Sequence, residues 1–412
     1  MRATRRDVLR GLGVAAAGLA LPTIISRRGF AADEIPVGSL LDASGPINIY
    51  GLPMIDATRF AIEDINANGG VLGKKLKLIE FDTQSNNQLY TQAASKMILE
   101  DEVAVLMGGI TSASREAVRP VIDKNEQLYF YNEQYEGGVC DKFVFCTGIT
   151  PSQQLSVLVD WTLKEYGKKV YTIAADYNYG HISADWVKVF LKRDGGELVG
   201  EEFIPLDVNN FDSIIQHIEK AKPSAVLSLL VGGNHIAFYR QFAAAGLNKK
   251  IPTVSATFGL GNEQVVLQPE EAEGLAVIYP YFQELDNPVN KEWVKRWHAK
   301  FGDNYTYITD SSNSAWNGWH LWALGANKAG SLDRAKVTEA LESGITFESP
   351  GGTIKLDPQS HHVVHTVHLA KVNSKHGFDI IKTFPNLEPT DTMQVCDLIK
   401  QPDQHTQFTP KF

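Results

Sequence analysis

Strand-length apolar runs alternate with helical stretches along most of this chain, and that order restricts its fold more than any other feature. Ile35 to Leu41 reads as a strand, and a helix follows with Ala57, Phe60, Ala61, Asp64 and Ile65 at helical spacing. Asn68-Gly69-Gly70 stops it, since glycine suits the left-handed residue just past a helix end. Leu76 to Phe81 and Gln88 to Glu100 repeat the pair, with Ala94, Met97 and Ile98 facing inward. Val103 to Met107 is long enough for one buried parallel strand, and Tyr129 to Tyr131 for a shorter one. This βαβα order predicts an α/β fold built on a parallel, doubly wound sheet with right-handed crossovers.

A second series starts after Cys146. Helices over 152–166, 181–193, 211–220 and 236–245 alternate with strands over 170–174, 198–205, 225–231 and 251–256. Two series in tandem fit the length, because 412 residues exceed what one core comfortably holds. The stretch 275–282 is extended, and Val294, Trp297 and His298 then line one side of a helix. Ala315, Trp316, Trp319, Trp322 and Ala323 recur at helical spacings in the next, and such a Trp stripe reads as core. A helix over 335–341 and strands over 351–356 and 363–372 close the series. The polar tail beyond Pro385 is expected to wrap the surface.

At the other end, Thr4-Arg5-Arg6-Asp7-Val8-Leu9-Arg10 carries a twin arginine, followed by a weakly apolar run and small residues at 29–31. Residues 1–31 look like a twin-arginine export signal, which a receptor reads and which does not anchor; the alternative is an amphipathic first helix. The apolar run is too short to span a bilayer, so the mature protein is expected in the periplasm. Those 31 residues carry a net +5, and taking them from the total of −9 leaves −14. That acidity argues against nucleic acid as a partner. An oxidising compartment permits a disulfide, and Cys140 with Cys146 is expected to close a small loop, leaving Cys396 unpaired.

The polar loops after the strands are candidate ligand contacts, because open α/β sheets hold ligands beyond the carboxyl ends of their strands. Gly108-Gly109-Ile110-Thr111-Ser112 leads into a helical face of Ala117, Val118, Val121 and Ile122. Ser112 is the expected N-cap, and Pro120 is expected to kink the helix or shift its start. The loop would present hydroxyls and free backbone N–H groups. After Tyr131 comes Asn132-Glu133-Gln134-Tyr135-Glu136-Gly137-Gly138, a second polar loop. Tyr50, Tyr131, Tyr177 and Tyr179 would supply walls for a small, flat polar ligand, each with a hydroxyl handle. Asn234, Thr257 and Phe258 follow strands of the second series. Facing a cleft, Glu133 would accept N–H bonds from urea, an amide or a cationic amidine; otherwise it points to solvent or pairs with Arg115.

Ile65-Asn-Ala-Asn-Gly-Gly-Val-Leu-Gly73, Gly108-Gly109 leading to Ser112, Asp176-Tyr-Asn-Tyr-Gly180 and Tyr279-Pro-Tyr-Phe282 together resemble the type I periplasmic solute-binding proteins of ABC importers. Tyr131 to Gly137 with Gly148-Ile-Thr-Pro-Ser-Gln-Gln154 resembles their urea and short-chain-amide branch. The resemblance spans 35–384. It implies two Rossmann-like lobes joined by a three-crossing hinge near 147–150, 280–283 and 348–351. Lobe one would hold 35–148 and 282–348, lobe two 149–281 and 349–385, with a tail over 386–412. By position it implies that Ser112 bonds the ligand's polar head, that Tyr50, Tyr131 and Glu133 line the pocket and that Tyr179 closes over it; Thr111, Gln134, Tyr177, Asn234, Thr257 and Phe258, on or beside the same loops, are further candidate contacts. Phe258 stands where amino-acid-binding members carry an acidic residue for the ligand's ammonium group. Glu133 stands where amide-binding relatives carry a small hydroxyl side chain.

Other constellations carry less. His361, His362, His365 and His368 invite a metal reading, but their β-branched surroundings favour a solvated strand that cannot gather three ligands. No Gly-x-Ser-x-Gly or His-Glu-x-x-His occurs, so no enzyme, metal or cofactor is expected. The expected function is a monomeric receptor that presents a small amide-like solute to an ABC permease in the inner membrane. A branched-chain or other amino-acid receptor, a ligand-sensing regulator and an amide hydrolase are the alternatives.

Overall fold

The computed structural model describes residues 34–411; the expected export signal lies outside them. The described chain opens with β1 (Glu34–Leu41), α1 (Asn48–Ala67), β2 (Lys75–Asp82), α2 (Asn87–Leu99), β3 (Leu106–Gly108), α3 (Ser112–Asn125) and β4 (Tyr129–Tyr131). Two short strands, β5 (Val139–Asp141) and β6 (Val144–Cys146), follow. A five-stranded sheet runs β2-β1-β3-β4-β6 with every neighbour parallel. Its order reverses between β1 and β3, so the loops after those strands part there and leave a crevice. Helix α1 starts close against the end of β1, because Gly51 has no Cβ: one would lie 2.0 Å from the Asp42 carbonyl oxygen.

The second sheet repeats this plan. Its parallel part uses α4 (Leu155–Glu165), β7 (Lys169–Ala175), α5 (Asn178–Asp194), β8 (Glu197–Ile204), α6 (Asp212–Ala221), β9 (Ala225–Leu229), α7 (Asn234–Ala244), β10 (Thr253–Ser255), α8 (Glu263–Val266), α9 (Pro269–Ala272) and β11 (Ala276–Tyr279). The chain then forms α10 (Pro288–Phe301), α11 (Asp310–Ala329) and α12 (Arg334–Glu342), before β12 (Thr346–Ser349), β13 (Gly352–Leu356), β14 (Val363–Val372) and β15 (Phe378–Leu387). The nine strands run β12-β13-β14-β11-β10-β9-β7-β8, with β15 on β14; those from β8 to β11 are parallel and the others antiparallel. Here the order reverses between β7 and β9.

Although α10 to α12 follow the second sheet in sequence, α11 packs on α1 of the first lobe. Phe60 of α1 meets Trp297 and Trp316 at ring-centroid distances of 5.6 and 5.1 Å, and the Trp319 indole N–H donates to Thr58 Oγ1 at 3.1 Å. The Trp stripe is core, as its spacing suggests. The chain thus leaves the first sheet after β6, returns after β11 to pack α11 on α1 and β3, and rejoins the second sheet with β12.

The tail corrects one expectation. Cys140 is bonded to Cys396, with Cα atoms 5.4 Å apart, and Cys146 is free and buried. The reason is topological: α13 (Thr390–Met393) and β16 (His405–Gln407) bring the tail over the first lobe, where β16 pairs antiparallel with β5. Cys140 then shares a small apolar cluster with Cys396 and Leu398, whereas Cys146 belongs to the core around Tyr131 and Tyr135. Asp391 accepts from Thr150 Oγ1 at 2.6 Å, and Thr392 Oγ1 accepts from the Gly138 N–H at 3.1 Å. The histidines, expected on a solvated strand, are buried instead. His361 meets Glu342, His362 Tyr135, His365 the Thr147 carbonyl and His368 Thr383, so each has its own partner.

Burial pushes the Cys146 thiol up to about 12. Denatured, unreduced protein should therefore yield one free thiol per chain, mapping to Cys146, and native protein none that reacts quickly. Cys396→Ala is expected to cost about 2–4 kcal/mol of stability in non-reducing denaturant titrations; a free thiol mapping to Cys396 in the natural chain contradicts the pairing.

Candidate functional site

Two loops of the first lobe meet at the crevice. Gly108 permits the turn out of β3: its φ is 120°, and a Cβ there would lie 2.1 Å from the Leu40 carbonyl oxygen. Thr111, rather than Ser112, caps α3, with Oγ1 accepting from the Ser114 N–H at 3.1 Å. Ser112 is the first helical residue, and its hydroxyl donates to the Glu136 carboxylate. The Ser112 and Ala113 N–H groups have no partner within the helix and are available to an acceptor. Pro120 lies inside α3 and does not shift its start.

Glu136 joins the two loops. Its Oε1 accepts from Arg115 Nη2 at 2.7 Å and from Gln407 of the tail. Arg115 is fully buried, bonds Glu116 through Nε at 2.9 Å, and lies 5.0 and 4.6 Å from the ring centres of Tyr131 and Tyr135. Burial opposes its charge, but Glu136 and Glu116 outweigh that and raise its pKa. Tyr131 donates to the Ile110 carbonyl at 2.6 Å. It braces the loops from behind.

Between the lobes lies a small cavity whose empty space, its opening to solvent included, is about 350 Å³. Tyr50, Thr111, Ser112, Glu133 and Gln134 line it from the first lobe, and Tyr177, Tyr179 and Thr257 from the second. Tyr131, Asn234 and Phe258 do not line it. Asn234 heads α7 and donates to the Pro205 carbonyl at 3.2 Å, and Phe258 is buried edge-on against Tyr239. Ile110, Val231 and Leu260 complete the wall. In the sequence these three read as ordinary core, so nothing singled them out.

Several hydrogen bonds cross the cleft. The Tyr50 hydroxyl accepts from the Gly232 N–H at 3.0 Å, and Gln134 Nε2 donates to the Ala256 carbonyl at 2.6 Å. Gln154 donates across the cleft to Gln134 Oε1 at 2.8 Å, and within its own lobe to the carbonyls of Ala256 and Ile278 at 3.0 and 3.1 Å. The Trp186 indole donates to the Glu136 carbonyl at 3.0 Å. Gln154 stood in a motif that suggested the branch, yet its latching role depends on a partner 20 residues back and a strand end 102 residues on.

Glu133 is the electrostatic anomaly. It is buried, and Oε1 accepts from the Gln134 N–H at 3.0 Å while Oε2 has no partner in the protein. Arg115, its expected alternative partner, is committed to Glu116 and Glu136. Burial pushes the Glu133 carboxyl up to about 7, opposed by Ser311 and the Gln134 N–H. Asp310, at the start of α11, is also buried with Oδ1 unpartnered; burial, then the Glu133 charge, hold it well above the carboxylate range. Among the described residues the candidate metal cluster is elsewhere, at Asp123, Asp141 and His405.

With its folded pKa above the ordinary 4.5, Glu133 makes the folded state hold a proton that the unfolded chain releases, so stability falls as pH rises from about 4.5 to about 7. Glu133→Gln should raise the Tm of the empty protein at pH 8, and by more than at pH 5. Glu136→Gln, which strips Arg115 of a buried partner, should instead cost about 3–5 kcal/mol. Thermal melts at the two pH values check both; a lower Tm for Glu133→Gln at pH 8 contradicts the assignment.

A family model described as periplasmic binding protein matches residues 34–377. A Leu/Ile/Val-binding protein homolog 6 from Brucella melitensis is 25% identical over 350 residues, covering 83% of this chain and 88% of the relative. A leucine-, isoleucine-, valine-, threonine- and alanine-binding protein from Pseudomonas aeruginosa is 26% identical over 335 residues, covering 79% and 87%. Among solved structures, an ABC transporter solute-binding protein from Rhodopseudomonas palustris, in complex with 3,4-dihydroxybenzoic acid, superposes with a TM-score of 0.78 at 24% identity, covering 87% and 99%. Among the described residues no helix is long and apolar enough to cross a membrane. Matched over most of its length, the chain belongs to the periplasmic binding protein family.

Proposed function

We propose that this receptor takes a small, amide-like solute into the cleft between its lobes. The observation that carries this reading is the buried, unpartnered Oε2 of Glu133 in a small cavity whose wall also includes the first turn of α3. A solute carbonyl would accept from the backbone N–H groups of that turn, and its –NH2 groups would donate to Glu133. Tyr50, Tyr177 and Tyr179 would cover its faces, with Thr111, Gln134 and Thr257 at the rim. Ser112 would contribute through its backbone, since its hydroxyl serves Glu136. Hinges near 147–150, 280–283 and 348–351 would let the lobes part, and the closed form would be read by an inner-membrane permease. Residues 1–31 would direct export through the twin-arginine route, and the receptor would work as a monomer.

A second reading, a receptor for branched-chain amino acids, is favoured by the names of the Brucella and Pseudomonas relatives and by apolar Ile110, Val231 and Leu260 in the wall. Against it, buried Phe258 leaves the second lobe without the acidic residue that amino-acid-binding members place there for an ammonium group. Calorimetry with urea, formamide, acetamide, acetamidine, guanidinium and leucine separates the two. The amide reading expects binding of at least one of the first five, weakened about tenfold or more in Glu133→Ala, the loss of a charge-assisted pair. Response to leucine alone overturns it.

A further inference from the structure

We propose that the chain carries a divalent-cation site outside the cleft, in which Asp123, Asp141 and His405 hold an ion of the zinc type and staple the C-terminal strand to the first lobe. The site stands apart from the cleft and does not depend on which solute the cleft takes.

Three elements bring the ligands together. Asp123 lies in the last turn of α3, Asp141 ends β5, and His405 opens β16, where the antiparallel pairing sets it directly opposite Asp141. Two carboxylate oxygens and an imidazole nitrogen, one from each residue, lie within 4.8 Å of one another. His405 Nδ1 stands 3.2 Å from Asp123 Oδ1 and 3.4 Å from Asp141 Oδ1. Those lengths match the edges of a tetrahedron, since donors at about 2.0–2.1 Å from one zinc ion lie about 3.3 Å apart. Asp123 Oδ1 is shut off from solvent and has no hydrogen-bond partner, so the 3.2 Å contact is not an N–H donation from the imidazole. A buried acceptor oxygen is left facing the nitrogen with nothing to bind it.

The surroundings hold these atoms in place. Asp141 is buried, its Oδ2 accepts from Arg119 Nε at 3.2 Å and its Oδ1 from the Phe143 N–H at 3.1 Å. The Phe143 ring stacks on His405, with centroids 6.0 Å apart and planes 20° apart. Outer contacts of this kind fix the orientation of metal ligands. Arg119 brings one positive charge to the cluster and shares it with Glu116, on Nη1 at 2.7 Å, so it balances at most one of the two carboxylates. Burial, then the Asp141 charge, push the Asp123 carboxyl up only to about 6, and it is ionised at pH 7.5. One imidazole nitrogen with two carboxylate oxygens suits zinc, whereas calcium and magnesium take oxygen donors. The His405 side chain is 36% exposed, which gives the ion a way in and leaves room for a water as fourth ligand. Bound there, the ion would pin the strand whose Gln407 reaches Glu136 at the cleft loops.

Zinc titration of the untagged chain, stripped with a chelator and dialysed at pH 7.5, tests this by calorimetry and thermal melts. One ion per chain should bind, and the Tm should rise by about 2 °C or more at a hundredfold excess over Kd. His405→Ala and Asp123→Asn should each weaken binding about tenfold or more and remove the rise in Tm. Circular dichroism establishes that the two variants are folded, and slower hydrogen exchange over 404–408 on adding zinc reads the site in the natural chain without any variant. His181 and His217 also stand beside carboxylates at the surface, those of Asp176 and Glu202, so His181→Ala and His217→Ala serve as controls and should leave the affinity unchanged. Binding weaker than about 1 mM overturns the proposal. So does zinc affinity that survives both His405→Ala and Asp123→Asn, or that is lost in either control.

Discussion

The Arg115–Glu136 pair holds the geometry of the cleft. It is buried at both ends, and the cost of removing two charges from water is offset by the further partners each end finds, although Arg115 Nη1 is left without one. Ser112 and Gln407 donate to the carboxylate, Glu116 takes the guanidinium's other edge, and Tyr131 and Tyr135 face it with their rings. Through these bonds the start of α3, the loop after β4 and the C-terminal strand become one rigid body. The Cys140–Cys396 bond and the β5–β16 pairing brace the same loop from outside. Glu133, three residues before Glu136, is thereby fixed in place with its carboxylate unspent.

Each sheet reverses its strand order once, between β1 and β3 in one and β7 and β9 in the other. Those two crevices face the same cavity, which is why residues from α1, α3, β4's loop, α5 and β9's loop converge on it. The bonds that span the gap, from Tyr50 to Gly232, from Gln134 to Ala256 and from Gln154 to Gln134, belong to a closed arrangement of the lobes. Shifting such a two-state hinge from 1:99 to 99:1 takes about 5.5 kcal/mol of differential affinity. A few charge-assisted hydrogen bonds with aromatic burial are of that order.

The fold was legible because long, regular alternation of strand and helix survives in sequence: β1, α1, β2, α2 and β14 lie within a few residues of where their patterns put them. Three-residue strands such as β5, β6 and β16 carry no period to read, and the Cys140–Cys396 partnership depends on them. The cap of α3 fell one residue early because Thr111 and Ser112 are equally good cap residues, and the choice is made by Glu136, which claims the serine. Of the site, the polar and aromatic loop residues were visible and its apolar wall was not. The cluster of Asp123, Asp141 and His405 escaped notice because it exists only once β16 pairs with β5 and brings the tail to the end of α3.

The most direct measurement is a crystal structure of the receptor with the solute it retains on purification, or with guanidinium added. The account predicts a planar, N–H-bearing group within hydrogen-bond distance of Glu133, beside the first turn of α3 and under the rings of Tyr177 and Tyr179. An anionic solute in that place, with Glu133 turned away from it, or an occupant bound outside this cleft, would contradict it.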